Sequence, residues 1–481
     1  MIDSFVYFSH YLVTIPPPGW ISAGHKHGVK VLGTFIVEAD PGTKVLNEIR
    51  EGKLTSKVAS QLALVAAAHN FDGWLINIES KMDDSSGPFL KEFLEAITSE
   101  THRAVPGSLV IWYDSILLDG KLDWQNELND KNSCFFDLCD GIFLNYGWTE
   151  EMLQKSANLA GGRRSDVYVG IDVFARNTNY TGGYETYKAV KQARQHGLSS
   201  AIFAAGWVYE TQERSKFAEH QYRFWNFPRH CRSEWRLSTL PLCTSFCQGF
   251  GKNLYKAGKL VQRGSWFNLS EQQLQPWDQG RSLCGGCGAA VACTDYAYNG
   301  GSCLLLRFAP SADKPDVKPY FRLFACDLPL GSLSISYTFS RDPLCQPLAD
   351  LSMVCQVTTR AAAGGHYLST CGRDVALEIW VFKEKKNEKV LKIMRPAKYL
   401  VKDLQTDRGA TLREVGVSFL FHEPTVGGRC LLGELILKRP NDESECVTAK
   451  NSSGSEGLED SVLDVGAPSD AAEPHAKRQR V

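Results

Sequence analysis

The chain has 481 residues, 43% of them apolar and 22% charged, and a formal net charge of -1. Its length points to two or three domains with a sizeable core, and its near-neutral charge excludes a basic field for nucleic acid or an anionic membrane. The longest apolar stretch, residues 62–68, is too short to span a bilayer, and Asp3 stands where a signal peptide needs basic residues, so neither insertion nor secretion is expected.

Residues 3–10 (D-S-F-V-Y-F-S-H) read as a strand, and Pro16-Pro17-Pro18-Gly19-Trp20 as a rigid loop ending in an aromatic anchor. Residues 29–37 (V-K-V-L-G-T-F-I-V) form the next apolar run, closed by Glu38. Thr55 or Ser56 is placed to cap a helix on which Val58, Leu62 and Val65 share a face. Residues 71–80 (F-D-G-W-L-I-N-I-E-S) then give a short apolar strand, suited to cover on both faces, that ends in an amide and an acid. Leu90, Phe93, Leu94 and Ile97 repeat the helical spacing. Strands are expected at residues 109–113, 141–146, 167–173 and 201–207, with a further helix between Tyr184 and His196.

Strands alternating with helices predict right-handed βαβ units and a parallel sheet, an α/β fold. Seven such strands fall in residues 1–240, so the expected architecture is a (β/α)8 TIM barrel lacking its first strand. From about Pro241 the helical spacing stops. Strand-like runs at residues 303–308, 333–339, 353–357, 377–382, 415–421 and 431–437 predict a β-sandwich domain over 241–440, like a carbohydrate-binding module in kind. Residues 441–481 hold too few large apolar side chains to offset chain entropy, so a disordered polar tail is expected, ending in the charged Lys477-Arg478-Gln479-Arg480.

Only Cys134 and Cys139 of the fifteen cysteines lie in the first 230 residues, which makes no regular disulfide framework and fits a reducing compartment. Cys284 and Cys287 have metal-ligand spacing, with Cys293 nearby, yet no second such pair and no paired histidines complete a zinc site. No metal and no organic cofactor is expected.

Side chains alternate along a strand, so Asn77 and Glu79 point to one side and Ile78 to the other. In a parallel α/β barrel the C-terminal strand ends hold the active site. The plainer reading has Glu79 capping the next loop and Asn77 beginning a turn. Polar and aromatic residues recur at the other strand ends: Tyr113 and Asp114, Asn145 with Tyr146 and Trp148, Asp172, and Trp207 with Tyr209 and Glu210. A barrel gathers these into one mouth, where aromatic faces stack on sugar rings and acids transfer protons, which suits glycoside cleavage. Glu79 with Asp114 or Asp172 would give the ordinary two-carboxylate mechanism. An acid beside an amide suits substrate assistance instead. There the sugar's own 2-acetamido oxygen attacks the anomeric carbon, Glu79 protonates the leaving oxygen, Asn77 holds the acetamide, and Tyr113 bonds the same group.

Residues 3–10, 31–35 (V-L-G-T-F), 71–79, 112–115 (W-Y-D-S), 166–176 (D-V-Y-V-G-I-D-V-F-A-R) and 206–210 (G-W-V-Y-E) resemble glycoside hydrolase family 85, the match running over roughly residues 1–280. The resemblance implies a cytosolic endo-β-N-acetylglucosaminidase that cleaves between the two core N-acetylglucosamines of Asn-linked glycans and leaves one sugar on the protein. Its substrates would be N-linked glycoproteins, glycopeptides or free oligosaccharides, and transfer of the glycan to an acceptor sugar is also implied. The family's acid/base glutamate falls on Glu79, its acetamide-orienting asparagine on Asn77 and its active-site tyrosine on Tyr113. By spacing, aromatics that flank the substrate correspond to Trp124 and Trp148, with Asp114, Asn145, Asp172 and Trp207 as further substrate-binding candidates. The family's barrel begins upstream of the position matched by Met1, so the chain reads as a shortened form. A non-catalytic N-glycan-binding protein therefore stays open as an alternative.

Overall fold

Apolar residues of both parities along the N-terminal strands require cover on each face, and the fold supplies it. The computed structural model describes residues 2–226, 231, 236–276, 287–309, 320–329, 333–341, 349–358, 366–369, 381–385, 388–392, 397–401, 411–421 and 428–439. In chain order the first half comprises β1 (Ser4–Val6), β2 (Val13–Thr14), α1 (Pro18–Lys26), β3 (Lys30–Glu38), α2 (Ala39–Glu51), α3 (Thr55–His69), β4 (Gly73–Glu79), α4 (Gly87–Ala104) and β5 (Leu109–Tyr113). It continues with α5 (Ser133–Phe136), β6 (Gly141–Leu144), α6 (Glu150–Ala160), β7 (Val167–Asp172), α7 (Thr186–Gln195), β8 (Ser199–Phe203), α8 (Trp207–Thr211) and α9 (Phe217–Trp225).

Strand β1 and strands β3 to β8 pair in parallel in that order, and β2 lies antiparallel on β3. The described residues thus form a (β/α)8 barrel with seven of its eight parallel strands. Parity divides the side chains. Val31, Phe35, Trp74, Ile76, Ile78, Val110, Trp112, Ile142 and Leu144 join the helices in one large core. Leu32, Leu75, Ile111 and Tyr113, with Val6, Phe8 and Phe143 against them, fill the barrel interior. Among the described residues no ladder joins β8 to β1. The rings of Phe8 and Phe203 meet edge to face there at 5.6 Å, and Phe203 also meets Tyr146 at 5.5 Å.

Several expectations are corrected. The proline-rich loop yields to α1 from Pro18 onward, because proline's fixed φ and missing N–H suit a first helical turn. Trp20 is therefore helical, and it stacks on Phe5 at 5.1 Å. Thr55 and Ser56 do not cap α3; Leu54 holds that position, with no side-chain cap. The strand expected to reach Trp207 ends at Phe203, where Ala204 takes a φ of 61° and turns the chain into α8.

The second half is β: β9 (Leu242–Thr244), β10 (Gln248–Lys256), β11 (Lys259–Gln272), β12 (Cys287–Cys293), β13 (Cys303–Ala309), β14 (Tyr320–Pro329) and β15 (Leu333–Arg341). Then follow β16 (Ala349–Thr358), β17 (His366–Ser369), β18 (Val381–Lys385), β19 (Glu388–Lys392), β20 (Ala397–Val401), β21 (Thr411–Phe421) and β22 (Gly428–Lys438). One sheet runs β12-β13-β22-β15-β20 with β9 beside β22, and another β14-β21-β16-β17. Leu304, Ile335, Tyr337 and Leu435 of the first pack in one core with Phe321, Leu323, Val415 and Val417 of the second, as in a β-sandwich. The β10–β11 hairpin reaches the barrel, where Lys26 Nζ of α1 donates to the Ser270 carbonyl at 2.5 Å. Cys243 is disulfide-bonded, which the cysteine pattern did not announce. Cys284, residues 377–380 of one expected strand, and the tail from 441 lie outside the described residues. Among the described residues no helix is long and apolar enough to cross a membrane.

Candidate active site at the C-terminal ends of the strands

Strand β4 carries Leu75 into the barrel interior, and the same parity turns Asn77 and Glu79 toward the mouth. Asn77 is 3% exposed. Its Nδ2 donates to Glu79 Oε1 at 3.1 Å, while its Oδ1 is buried and has no hydrogen-bond partner among the described residues. A buried acceptor left unpaired costs on the order of 1–3 kcal/mol, a cost that a ligand N–H at that atom would relieve. Burial raises the pKa of Glu79, the Asn77 amide opposes the rise, Glu38 adds to it and His10 subtracts from it. The Glu79 carboxyl therefore holds a proton to higher pH than an exposed one, as a proton donor near neutrality requires.

Tyr113 ends β5 one residue beyond the Ile76–Trp112 pair, which sets it beside Asn77. Its hydroxyl donates to Asn145 Oδ1 at 2.9 Å, and the Trp124 side chain also hydrogen-bonds the phenol. Burial, then the nearby Tyr146, Glu79 and Asp114, push the phenol pKa far up, so Tyr113 stays neutral. Asn145 in turn donates to Asn126 Oδ1 at 2.8 Å. Asn77, Glu79, Tyr113, Asn145 and Trp124 thus converge, and Trp124 is 37% exposed.

Other expected substrate contacts lie beneath this surface. Asp114 is 1% exposed, and its carboxylate accepts from Asn132 Nδ2 at 3.0 Å, Asn126 N at 2.8 Å and Gln125 N at 3.3 Å. It anchors the loop that carries Trp124. Burial raises its pKa to about 6 against those hydrogen bonds. Trp148 is 2% exposed, stacks on Tyr180 at 4.8 Å and donates Nε1 to the Gly170 carbonyl at 2.7 Å. Both oxygens of Asp172 are engaged by Arg176, at 2.8 and 3.1 Å, and by the Phe174 and Arg176 amides, leaving no free carboxylate for a two-acid mechanism with Glu79. Trp207 is half-buried on α8, edge to face with Tyr184 at 5.1 Å.

The sequence reading missed Asn126, which bridges Asn145 to the Gly147 amide (2.8 Å to each), and also Glu38 with His10. Glu38 is the register partner of Glu79 across β3 and β4, and His10 Nδ1 lies 3.1 and 3.0 Å from its two oxygens. The signal for Glu38 was an acid closing an apolar run, legible only once the β3–β4 register is known.

A parallel barrel whose mouth pairs a buried carboxamide with a carboxyl of raised pKa has the form of a glycoside hydrolase site. The model of glycosyl hydrolase family 85 matches residues 1–254, over half of the chain, and the chain belongs to that family. It is 45% identical over 344 residues to a cytosolic endo-beta-N-acetylglucosaminidase of Danio rerio, covering 70% of this chain and 48% of the relative. A protein of the same name from Homo sapiens is 40% identical over 374 residues, covering 76% and 49%. The chain spans about half the length of the curated relatives it matches. Among solved structures, the glycoside hydrolase domain of Endo-D from Streptococcus pneumoniae R6 shares the fold with a TM-score of 0.65 at 17% identity, covering 90% of this chain and 70% of that one.

Proposed function

We propose that the chain is an endo-β-N-acetylglucosaminidase that hydrolyses the β-1,4 bond between the two core N-acetylglucosamines of Asn-linked glycans. The observation that carries this reading is the Asn77 amide, which donates to Glu79 and leaves a buried Oδ1 unpaired. That oxygen accepts the N–H of the substrate's 2-acetamido group and aims its carbonyl oxygen at the anomeric carbon. As the C1–O4 bond breaks, the acetamide oxygen bonds to C1 and Glu79 gives its proton to O4. Water then attacks C1, Glu79 takes the proton back, and the oxazolinium ring opens to restore the acetamide. Two inversions at C1 give net retention.

Tyr113 hydrogen-bonds the same acetamide, exchanging its bond to Asn145 for one to the substrate. Trp124 offers a sugar platform, with Asn145 and Trp207 as polar and aromatic contacts. Asp114, Trp148 and Asp172 shape the mouth from below. Residues 1–240 form the catalytic domain in this reading, 241–440 an accessory β-sandwich and 441–481 a polar tail. The relatives' names place them in the cytosol, and we assign this chain there, with N-glycoproteins, glycopeptides or free N-glycans as substrates. The test is the anomer released first from a chitobiose-core glycan, read by proton NMR. The β anomer is expected, and an α anomer would require inversion and overturn the acetamide route.

A further inference from the structure

A second acid stands beside the proton donor. Glu38 and Glu79 end neighbouring parallel strands as register partners, and adjacent parallel strands run about 4.8 Å apart. Partners in register share a face, so the two carboxyl groups leave the sheet side by side. His10, on the segment after β1, closes on Glu38 with Nδ1 at 3.0–3.1 Å from both oxygens, and its ring rests edge-on against Phe8 at 5.2 Å.

Folding gives this arrangement no ready explanation. Glu38 is the residue before α2, yet its side chain makes no capping hydrogen bond there. The His10–Glu38 contact is solvent-exposed, with 75% of the His10 side chain and 36% of that of Glu38 accessible, and even as an ion pair an exposed contact contributes little to stability. Two carboxylates on adjacent strands repel, which disfavours the pairing unless it does something else.

We propose that Glu38, oriented by His10, is a positioning residue for the proton donor, its charge at the mouth setting the pH range over which Glu79 carries the proton to be transferred. This rests on the endoglycosidase reading of Glu79. The groups facing Glu79 are Glu38 from β3, His10 from beyond β1, Tyr113 from β5, Tyr146 from beyond β6, and Asn77 on its own strand. Burial pushes both tyrosines far up, so they stay neutral and leave Glu38, with His10 when its ring is protonated, as the charges that act on it. They act in opposite directions, Glu38 raising the Glu79 pKa and His10 lowering it.

That opposition gives a test that a packing role would not mimic. The Glu79 carboxyl is titrated by carbon-13 NMR in the wild type and in Glu38→Gln and His10→Gln, whose sites are exposed enough to fold. In parallel, the pH dependence of kcat/KM is measured on an N-glycopeptide, because its alkaline limb reports the acid of the free enzyme. Glu38→Gln is expected to move the Glu79 titration and the alkaline limb down in pH. His10→Gln is expected to move both up over the pH range in which the imidazole is protonated, since it removes the His10 partner of Glu38 that lowers the Glu79 pKa. No displacement in either variant, or displacement of both in the same direction, overturns the inference. If the wild type turns over no glycopeptide, the endoglycosidase reading fails by itself, and the carboxyl titration still decides whether Glu38 and His10 govern Glu79.

Discussion

Replacing Asn77 with Ala separates substrate assistance from any mechanism in which the amide merely packs. The substitution removes two things: the Oδ1 proposed to accept the acetamide N–H, and the Nδ2 that donates to Glu79 at 3.1 Å. In the proposed mechanism the first interaction would be made at a buried atom to a group that becomes cationic in the oxazolinium, and such charge-assisted bonds contribute about 1.5–3 kcal/mol. At about 1.4 kcal/mol per decade, hydrolysis of a high-mannose glycopeptide should fall roughly 10- to 150-fold. A preformed oxazoline no longer needs its acetamide aimed at C1, so its hydrolysis, which still uses Glu79 as base, should fall much less. The second loss has its own signature. Asn77 holds the Glu79 pKa down, so the alkaline limb of glycopeptide hydrolysis should move up in the variant. The assay is initial rates on both substrates across pH. Equal losses on glycopeptide and oxazoline would refute the orienting role.

Glu79→Gln should lower glycopeptide turnover by about 10²–10⁴-fold while binding, followed by calorimetry, survives. Asp114→Ala removes the acceptor of three hydrogen bonds that hold the Trp124 loop; it should raise KM and cost about 2–3 kcal/mol in urea unfolding, and an unchanged KM would separate Asp114 from the site. Phe203→Ala deletes the ring that meets Phe8 and Tyr146 where no ladder among the described residues joins β8 to β1, with an expected loss of roughly 1–3 kcal/mol. In the sandwich, burial raises the Glu434 pKa from 4.5 to about 7, with Asn299 Nδ2 at 3.2 Å opposing the rise. The folded state thus favours the protonated acid, so wild-type stability should decline relative to Glu434→Gln as pH rises from 4.5 through 7, by up to about 3 kcal/mol. Parallel melting curves for the two proteins across that range would count against this.

The barrel was legible because its strands read locally. Bulky and β-branched runs such as Trp74 to Ile78 mark a strand by composition, and period-2 alternation fixes Asn77 and Glu79 on one face without any tertiary knowledge. The helices were less legible where their first turns look like loops. Helix α1 hides behind three prolines, and α2 opens Ala39-Asp40-Pro41-Gly42, residues that elsewhere make turns. Gly42 is required there because a Cβ would strike Ser80 and Val37.

The site split in the same way. Glu79, Asn77 and Tyr113 announce themselves through chain position, but whether an aromatic after a strand faces solvent depends on what covers it. Trp148 and Trp124 are alike in sequence. One lies under Tyr180 with its N–H satisfied, and the other stands at the rim beside Tyr113. The acids divide similarly: Asp114 and Asp172 are consumed by local donors, whereas Glu38 becomes relevant only through the β3–β4 register.

The most direct test of the central claim is incubation of the purified chain, residues 1–481, with a high-mannose glycopeptide, the products being read by mass spectrometry. The expected products are a peptide that retains a single N-acetylglucosamine and a released oligosaccharide with one N-acetylglucosamine at its reducing end. Intact glycopeptide after prolonged incubation with a monodisperse, cooperatively folded sample would contradict it.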